Sequence, residues 1–187
     1  LTFIPRDDIL QLNGVFIDMT GDSTPKVNKN LILVIATASS FILPFLVSSV
    51  TVALPTIGRH FNMPAVTMSW VSTAYFLAIA ILQVPLGRLS DIFGRKKLFM
   101  MGLVLATFAS FLGGFASSVM LLIISRVLQG IGAGVTSNNS VAMVVSIFPG
   151  AERVKAIGIS QSGTYLGLTL GPLAGGVLTE HLGWQSI

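Results

Sequence analysis

Hydrophobic positions in this chain come in long unbroken blocks, and polar residues are gathered into short knots between them. Five stretches, 30–58, 61–87, 98–125, 127–151 and 156–179, hold no Asp, Glu, Lys, Arg or His. Each is longer than the about 20 residues a helix needs to cross a hydrocarbon layer of about 30 Å. The alternation that a membrane barrel requires is not visible. Inside lipid every backbone amide must be bonded internally, so helices are the expected element. The third and fourth blocks meet at Arg126, and "GGFASSV" (113–119) supplies a turn between two spans there. The pattern predicts five spans, at about 31–55, 66–86, 98–116, 120–147 and 156–178.

Composition sharpens this picture. Of the 187 residues 52% are hydrophobic and 10% charged, against about 25% charged in soluble domains. A chain of this size could bury a core, but not cover it with so few charges. A signal peptide does not fit, since its apolar region is shorter and is not followed by four more. Cysteine is absent, which removes disulfides and thiolate metal sites. The expected fold class is therefore an all-α membrane protein, a transmembrane helical bundle.

Charge placement predicts orientation. With the N-terminus in the cytoplasm, that side receives Arg6, Lys26, Lys29, Arg88, Arg95, Lys96, Lys97, Arg153 and Lys155, and the outer side only Arg59. Such a bias is the positive-inside pattern. Trp70 and Trp184 then fall near the outer boundary, where an indole suits the headgroup layer. Residues 1–29 read as a polar cytoplasmic tail, within which Met19 begins "MTGDSTPKVNKN" and 1–18 form a candidate upstream extension. Residues 30–187 read as a partial transmembrane domain of five spans plus the start of a sixth. An odd count ending on "EHLGWQSI" points to a portion of a longer protein. A truncated remnant without transport activity, or a membrane assembly subunit, is the alternative.

Three stretches carry more specific chemistry. Between spans 2 and 3, "GRLSDIFGRKK" (87–97) sets one acid, Asp91, among four bases, with Gly87 and Gly94 permitting tight backbone at the two helix ends. Asp91 could cap or face a helix N-terminus, and Arg95 and Lys96 could reach carbonyls or acids on a neighbouring element. In span 4, Arg126 lies about six residues from the outer end, roughly 9 Å deep at 1.5 Å per residue. Facing lipid it would cost about 2.5–3.5 kcal/mol unless it snorkels outward. A face toward a water-filled cavity, with Gln129, Gly130, Ser137 and Ser140 alongside, is the other option. In span 5, "GTYLGLTLGPLAGG" (163–176) places Gly163, Gly167, Gly171 and Gly175 four apart. Residues at that spacing lie one turn apart, so a second helix can approach closely along them. Pro172 removes one backbone bond and bends the helix. Plain packing and a bendable seam are compatible readings of this segment.

The 87–97 loop resembles the signature loop of the major facilitator superfamily, matching at Gly87, Leu89, Asp91, Gly94, Arg95 and Lys96, with Ser90, Ile92 and Phe99 departing at weaker positions. "LLIISRVLQGIGAG" (121–134) resembles the family's fourth-span motif through Arg126, Gln129, Gly130 and Gly132. "GLTLGPLAGG" (167–176) resembles its fifth-span antiporter motif at Gly167, Gly171, Pro172, Gly175 and Gly176. "SSVTVALPTI" (48–57) and "SWVSTAYFLA" (69–78) look most like the 14-span drug:proton antiporter branch. The resemblance covers about residues 30–187. It implies the N-terminal half of a secondary transporter that exports drugs or other small hydrophobic compounds by alternating access, coupled to protons. The partners it implies are a small-molecule substrate, protons, the lipid bilayer and a C-terminal half; the location it implies is the cell membrane. It also assigns proton coupling to Arg126. That branch usually carries an acid in the first span, where this chain has Leu46, and no carboxylate lies deep in any span.

Other polar residues inside spans are Tyr75, Gln83, Asn138 and Asn139, each able to bond between helices or to line a cavity. "GIGAG" (130–134) is no dinucleotide fingerprint, because no strand precedes it. No metal or catalytic constellation emerges, so no cofactor, enzymatic chemistry or nucleic-acid partner is expected.

Overall fold

A computed structural model describes residues 28–187, which form five long helices and a closing turn. The expected tail 1–29, with Met19 and the candidate extension 1–18, lies outside the described residues apart from Asn28 and Lys29. Helix α1 runs Lys29–His60, α2 Ala65–Phe93, α3 Arg95–Gly114, α4 Val119–Ile147 and α5 Gly150–Leu182, followed by a 3-10 turn at Trp184–Ser186. Asn28 starts α1 by accepting from the amides of Asn30 and Leu31, and Ser118 starts α4 by accepting from that of Leu121. Helices α1 to α4 are long and apolar enough to cross a membrane. At 33 residues α5 is long enough too, but its Gly, Ser, Thr and Gln dilute the hydropathy. All the helices extend beyond their charge-free blocks at one or both ends.

Two expected turns are shorter than the sequence implied. The segment 87–97 is hardly a loop, because α2 continues through Gly87 to Phe93 and α3 begins at Arg95. Gly94 alone makes the break, at φ 89°, a conformation open chiefly to glycine. Gly87 sits inside the helix, where an added Cβ would meet nothing within 4 Å. The reading of Gly87 as a helix-end glycine is thus corrected. Likewise Gly113 and Gly114 are the last residues of α3, leaving Phe115–Ser118 as the turn.

Successive helices alternate in direction, so the bases 88, 95–97, 153 and 155 gather with Lys29 at one end of the bundle. At this basic end Lys29 pairs with Glu152 at 3.6 Å, joining the starts of α1 and α5. At the far end Gly183, at φ 85°, turns the chain back, and Trp184 packs on Phe61 and His60. Only 7% of Trp184 is exposed, in a cluster with Val50, Ala53, Ile57, Val71 and Leu122, whereas Trp70 is 50% exposed. The headgroup position expected for Trp184 is replaced by a core one. The reversal at Gly183 carries the ring inward between the helix ends.

Packing is organised as two parallel pairs. Helix α5 lies along α1 in constant register: Gly163 against Thr37, Gly167 against Phe41, Gly171 against Phe45 and Ser48, Gly175 against Ser49. Helix α4 lies along α2 in the same way, with Gly130 against Tyr75 and Gly134 against Ile79. On its other side Gly132 of α4 meets Gly102 and Ala106 of α3. An inverted repeat that sends α1 to α4 and α2 to α5 converts one pair into the other. Small residues let each pair close to backbone contact, the main source of adhesion when lipid removes the hydrophobic drive between helices.

The proline in α5 has a specific compensation. Pro172 lacks the amide that would bond the Leu168 carbonyl, and the Ser48 hydroxyl of α1 donates to that oxygen at 2.9 Å. Beside it Ser49 donates to the carbonyls of Gly171 and Phe45, at 2.9 and 2.8 Å. Ser48→Ala should lower the unfolding free energy in mixed micelles by about 1 kcal/mol. In a Pro172→Ala background the restored amide bonds Leu168 itself, so the same substitution should cost much less. An equal cost in both backgrounds would disprove the compensation.

Candidate functional site: a neutral cavity beside a buried arginine

Four helices line an open-sided cavity of about 450 Å³ near the middle of the bundle. Helix α1 contributes Ser39, Ser40, Leu43, Pro44 and Val47; α2 contributes Tyr75, Phe76, Ile79 and Gln83. The lining from α4 includes Thr136, Ser137, Asn138 and Ser140, and that from α5 Gln161, Thr164 and Leu168. No charged side chain is among them, and α3 stays outside. The walls are thus apolar with scattered hydroxyls and amides, as in sites that orient a small molecule by a few polar groups. Two polar links brace the walls. Asn138 Nδ2 donates to the Gln83 carbonyl at 3.0 Å, joining α4 to α2, and Ser40 and Ser160 share a hydrogen bond of 3.2 Å between α1 and α5.

Arg126 lies on α4 nearer the far end, outside this cavity. The shared cavity expected for Arg126, Ser137 and Ser140 is corrected: Ser137 and Ser140 line it, but Arg126 and Gln129 do not. Eleven residues separate 126 from 137, about three turns and 16 Å. A common helical face does not mean a common depth. The Arg126 guanidinium instead enters a narrow cleft against Val47, Val50, Val71, Ser72, Tyr75 and Phe76. Its Nη1 donates to Gln129 Oε1 at 2.7 Å, and Gln129 Nε2 donates to Ser110 Oγ on α3 at 2.6 Å. Nε of Arg126 is buried with no protein acceptor. Tyr75 lines both this cleft and the large cavity, so its ring forms part of the wall between them. Snorkelling to the headgroups is not the arrangement adopted. Gly130 serves packing, with an added Cβ meeting the Ala78 Cβ at 3.0 Å.

The basic end holds the signature-loop residues, and Arg95 there reaches both an acid and a carbonyl of a neighbouring helix. Asp91 caps no helix; it is 71% exposed and faces Arg95 at 3.5 Å, one turn on. Arg95 also donates through Nη1 to the Ala142 carbonyl of α4 at 3.0 Å, tying the start of α3 to the last turns of α4. Lys96 is exposed. One turn before the break, Ser90 donates to Asn139 Oδ1, and Asn139 Nδ2 donates to the Val135 carbonyl at 2.8 Å. Ser90 and Asn139 are both buried, and they form the polar clasp that fixes α2 on α4 behind Asp91 and Arg95. Ser90 had read only as a departure from a motif. Its signal was polarity inside an apolar helix, which marks a residue needing a partner.

Of the glycine-rich helix, Gly167, Gly171 and Gly175 are buried against α1, while Pro172 is exposed and Gly176 only grazes Val52 at 4.0 Å. Leu46 is half-buried and does not line the cavity, whereas its neighbour Val47 does.

Comparison with known proteins places this arrangement. The profile of the Major Facilitator Superfamily matches residues 36–187. The chain is 37% identical over 169 residues to the cephamycin export protein of Amycolatopsis lactamdurans, covering 90% of this chain and 35% of that one. It is 33% identical to the riboflavin transporter of Clostridioides difficile, covering 85% of this chain and 35% of the relative. With the multidrug resistance protein Stp of Mycobacterium tuberculosis it shares 37% identity over 84% of this chain and 30% of the relative. The chain therefore spans about a third of the length of these curated relatives. All-helical among the described residues, built from long apolar helices, and matched over most of its length to one profile and to efflux transporters, the chain belongs to the major facilitator superfamily of membrane transporters.

Proposed function

We propose that this chain is the N-terminal part of a proton-coupled exporter of drugs or other small hydrophobic compounds, working by alternating access. The observation that carries the reading is the 450 Å³ cavity, uncharged and mostly apolar, with Arg126 set one wall away behind Tyr75. A carrier of this build binds its cargo at mid-depth between two bundles, and the missing C-terminal half would close the cavity. The basic end would face the cytoplasm and the far end the outside of the cell membrane, in keeping with the positive-inside pattern. Asn138, with Tyr75 and the other cavity side chains, would orient the cargo. Arg126, held by Gln129, would answer the charge state of the coupling acid, which the other half would supply. At the cytoplasmic end Gly87, Asp91, Gly94, Arg95 and Lys96 would form the gate against that half. The seam of Gly167, Gly171 and Gly175, with Pro172 and Gly176 beside it, would keep α1 and α5 moving as one body. The names of the relatives span cephamycin, riboflavin and multiple drugs, so cargo varies among proteins with this helix pattern.

Everted membrane vesicles carrying the intact transporter test the reading. A panel of lipophilic dyes and antibiotics should include members that accumulate only while a proton gradient stands. Accumulation unaffected by collapsing that gradient would refute proton coupling. Asp91→Asn should abolish accumulation while the protein still reaches the membrane. Its ion pair is exposed, so stability should change by no more than about 1 kcal/mol. Unchanged transport in this variant would remove Asp91 from the gate.

A further inference from the structure

The outer flank of α3 carries two shallow grooves that join. One, about 610 Å³, is lined by Gly94, Arg95, Lys96, Lys97, Met100 and Met101. The other, about 470 Å³, continues along Met100, Met101, Val104, Leu105 and Phe108. Met100 and Met101 belong to both, so a single track leads from three consecutive bases onto an apolar surface. Met100, Met101, Val104 and Phe108 are each at least half exposed, and no helix among the described residues covers them. From Lys97 to Phe108 the track runs eleven residues, about 16 Å. That is half of a hydrocarbon layer of about 30 Å, the depth of one leaflet.

From this geometry we infer that the α3 flank is a binding site for one anionic phospholipid, its phosphate at Lys96 and Lys97 and one acyl chain along Met100 to Phe108. The charges available fit an anion. Arg95 is occupied by Asp91 and the Ala142 carbonyl, while Lys96 and Lys97 have no carboxylate within 4 Å among the described residues. No side chain caps the first amides of α3, so the positive end of a 20-residue helix faces the same groove. Lysine stems extend along apolar surface with the ammonium at the headgroup level. Methionine side chains are flexible enough to fit a mobile chain. A zwitterionic lipid gains nothing net from two uncompensated ammonium groups, and an aqueous phosphate has no use for the apolar half of the track. The site lies on the opposite side of α3 from the cavity; Gly94, Arg95 and Lys96 also belong to the proposed gate, but lipid retention is read without transport and does not depend on what the protein carries.

Native mass spectrometry of the intact protein, delipidated and then titrated with phosphatidylglycerol, cardiolipin or phosphatidylcholine, tests the inference. The unmodified protein should retain one anionic lipid in preference to phosphatidylcholine. A basic residue near a membrane surface strengthens anionic-lipid binding by about fivefold, so Lys96→Gln with Lys97→Gln should weaken retention by more than tenfold. The control Arg153→Gln with Lys155→Gln removes the same charge from the same end, away from α3, and should leave retention within about twofold. Met101→Trp, which fills the shared part of the track, should lower retention while keeping both lysines. Equal loss in the control pair would mean diffuse attraction only and would overturn the site. So would equal retention of phosphatidylcholine, or retention unchanged in the Lys96 and Lys97 variant.

Discussion

Gly175→Ala is expected to abolish transport and to lower the stability of the bundle, whereas Gly176→Ala, one residue on, should leave both intact. The two glycines are adjacent in one motif and equivalent on paper. In the fold an added Cβ at 175 would lie 2.6 Å from Ser49 Cα and 2.9 Å from the Ser49 carbonyl oxygen. Backbone atoms of α1 cannot rotate away as a side chain could. The whole α1–α5 register would have to open, in line with overpacking costs of about 1–3 kcal/mol. At 176 the nearest atom is Val52 Cγ1 at 4.0 Å, an ordinary contact. Alanine there also favours the helix, by up to about 1 kcal/mol over glycine. Thermal unfolding in detergent and drug efflux from cells, measured side by side, separate the two. Similar behaviour of both variants would mean that α1 and α5 do not meet in this register. Gly171→Leu should be at least as damaging as Gly175→Ala, since a Cβ at 171 already falls 2.7 Å from Ser48 Cβ.

Arg126→Met should separate stability from function. A guanidinium buried among Val47, Val50, Val71 and Phe76 is a large desolvation burden, and no carboxylate among the described residues offsets it. Replacing buried ionic groups with apolar ones of similar volume is often neutral or stabilising, by about 1–4 kcal/mol. Against that stands the loss of one partner for Gln129 Oε1, about 1–3 kcal/mol. Methionine should therefore leave the melting temperature unchanged or raised. Gradient-driven accumulation should nevertheless fall at least tenfold if Arg126 has the proposed coupling role, the default reading of an ionisable residue inside a membrane segment. Arg126→Lys keeps the charge but not the two-pronged geometry that reaches Gln129, and should retain part of the activity. Efflux at the unmodified rate in Arg126→Met would assign the arginine a structural role alone.

Several features of the site were legible in the residues. The five predicted spans became five helices, with ends displaced by up to seven residues. Helix formation does not stop where charge begins: α2 runs on from Gly87 to Phe93 because nothing in "RLSDIF" breaks it. The helix ends at Gly94, where φ is 89°. Tyr75 and Asn138, selected as polar residues inside apolar spans, both line the cavity, and a polar group in such a segment must find a partner or a wet space. Arg126 and Gln129 proved to be hydrogen-bonded neighbours, as their spacing of three on a helix permits. Ser39, Ser40, Gln161 and Thr164 escaped notice, since small hydroxyls and lone amides are as frequent in helix packing as in cavity walls.

The order of apolar and charged residues along the chain was enough to determine the class of fold, the number of helices, the end where the bases gather and the family. All of these follow from local rules: the length needed to cross a lipid layer, the demand that amides be bonded internally, and motifs read within a few residues. Which glycines are indispensable, which hydroxyl completes the bond that Pro172 lacks, and that Arg126 sits a wall away from the cavity were decided only by tertiary structure. Each of these depends on depth and register between helices that are distant in sequence. A helical wheel assigns direction around an axis and is blind to the height at which two axes meet.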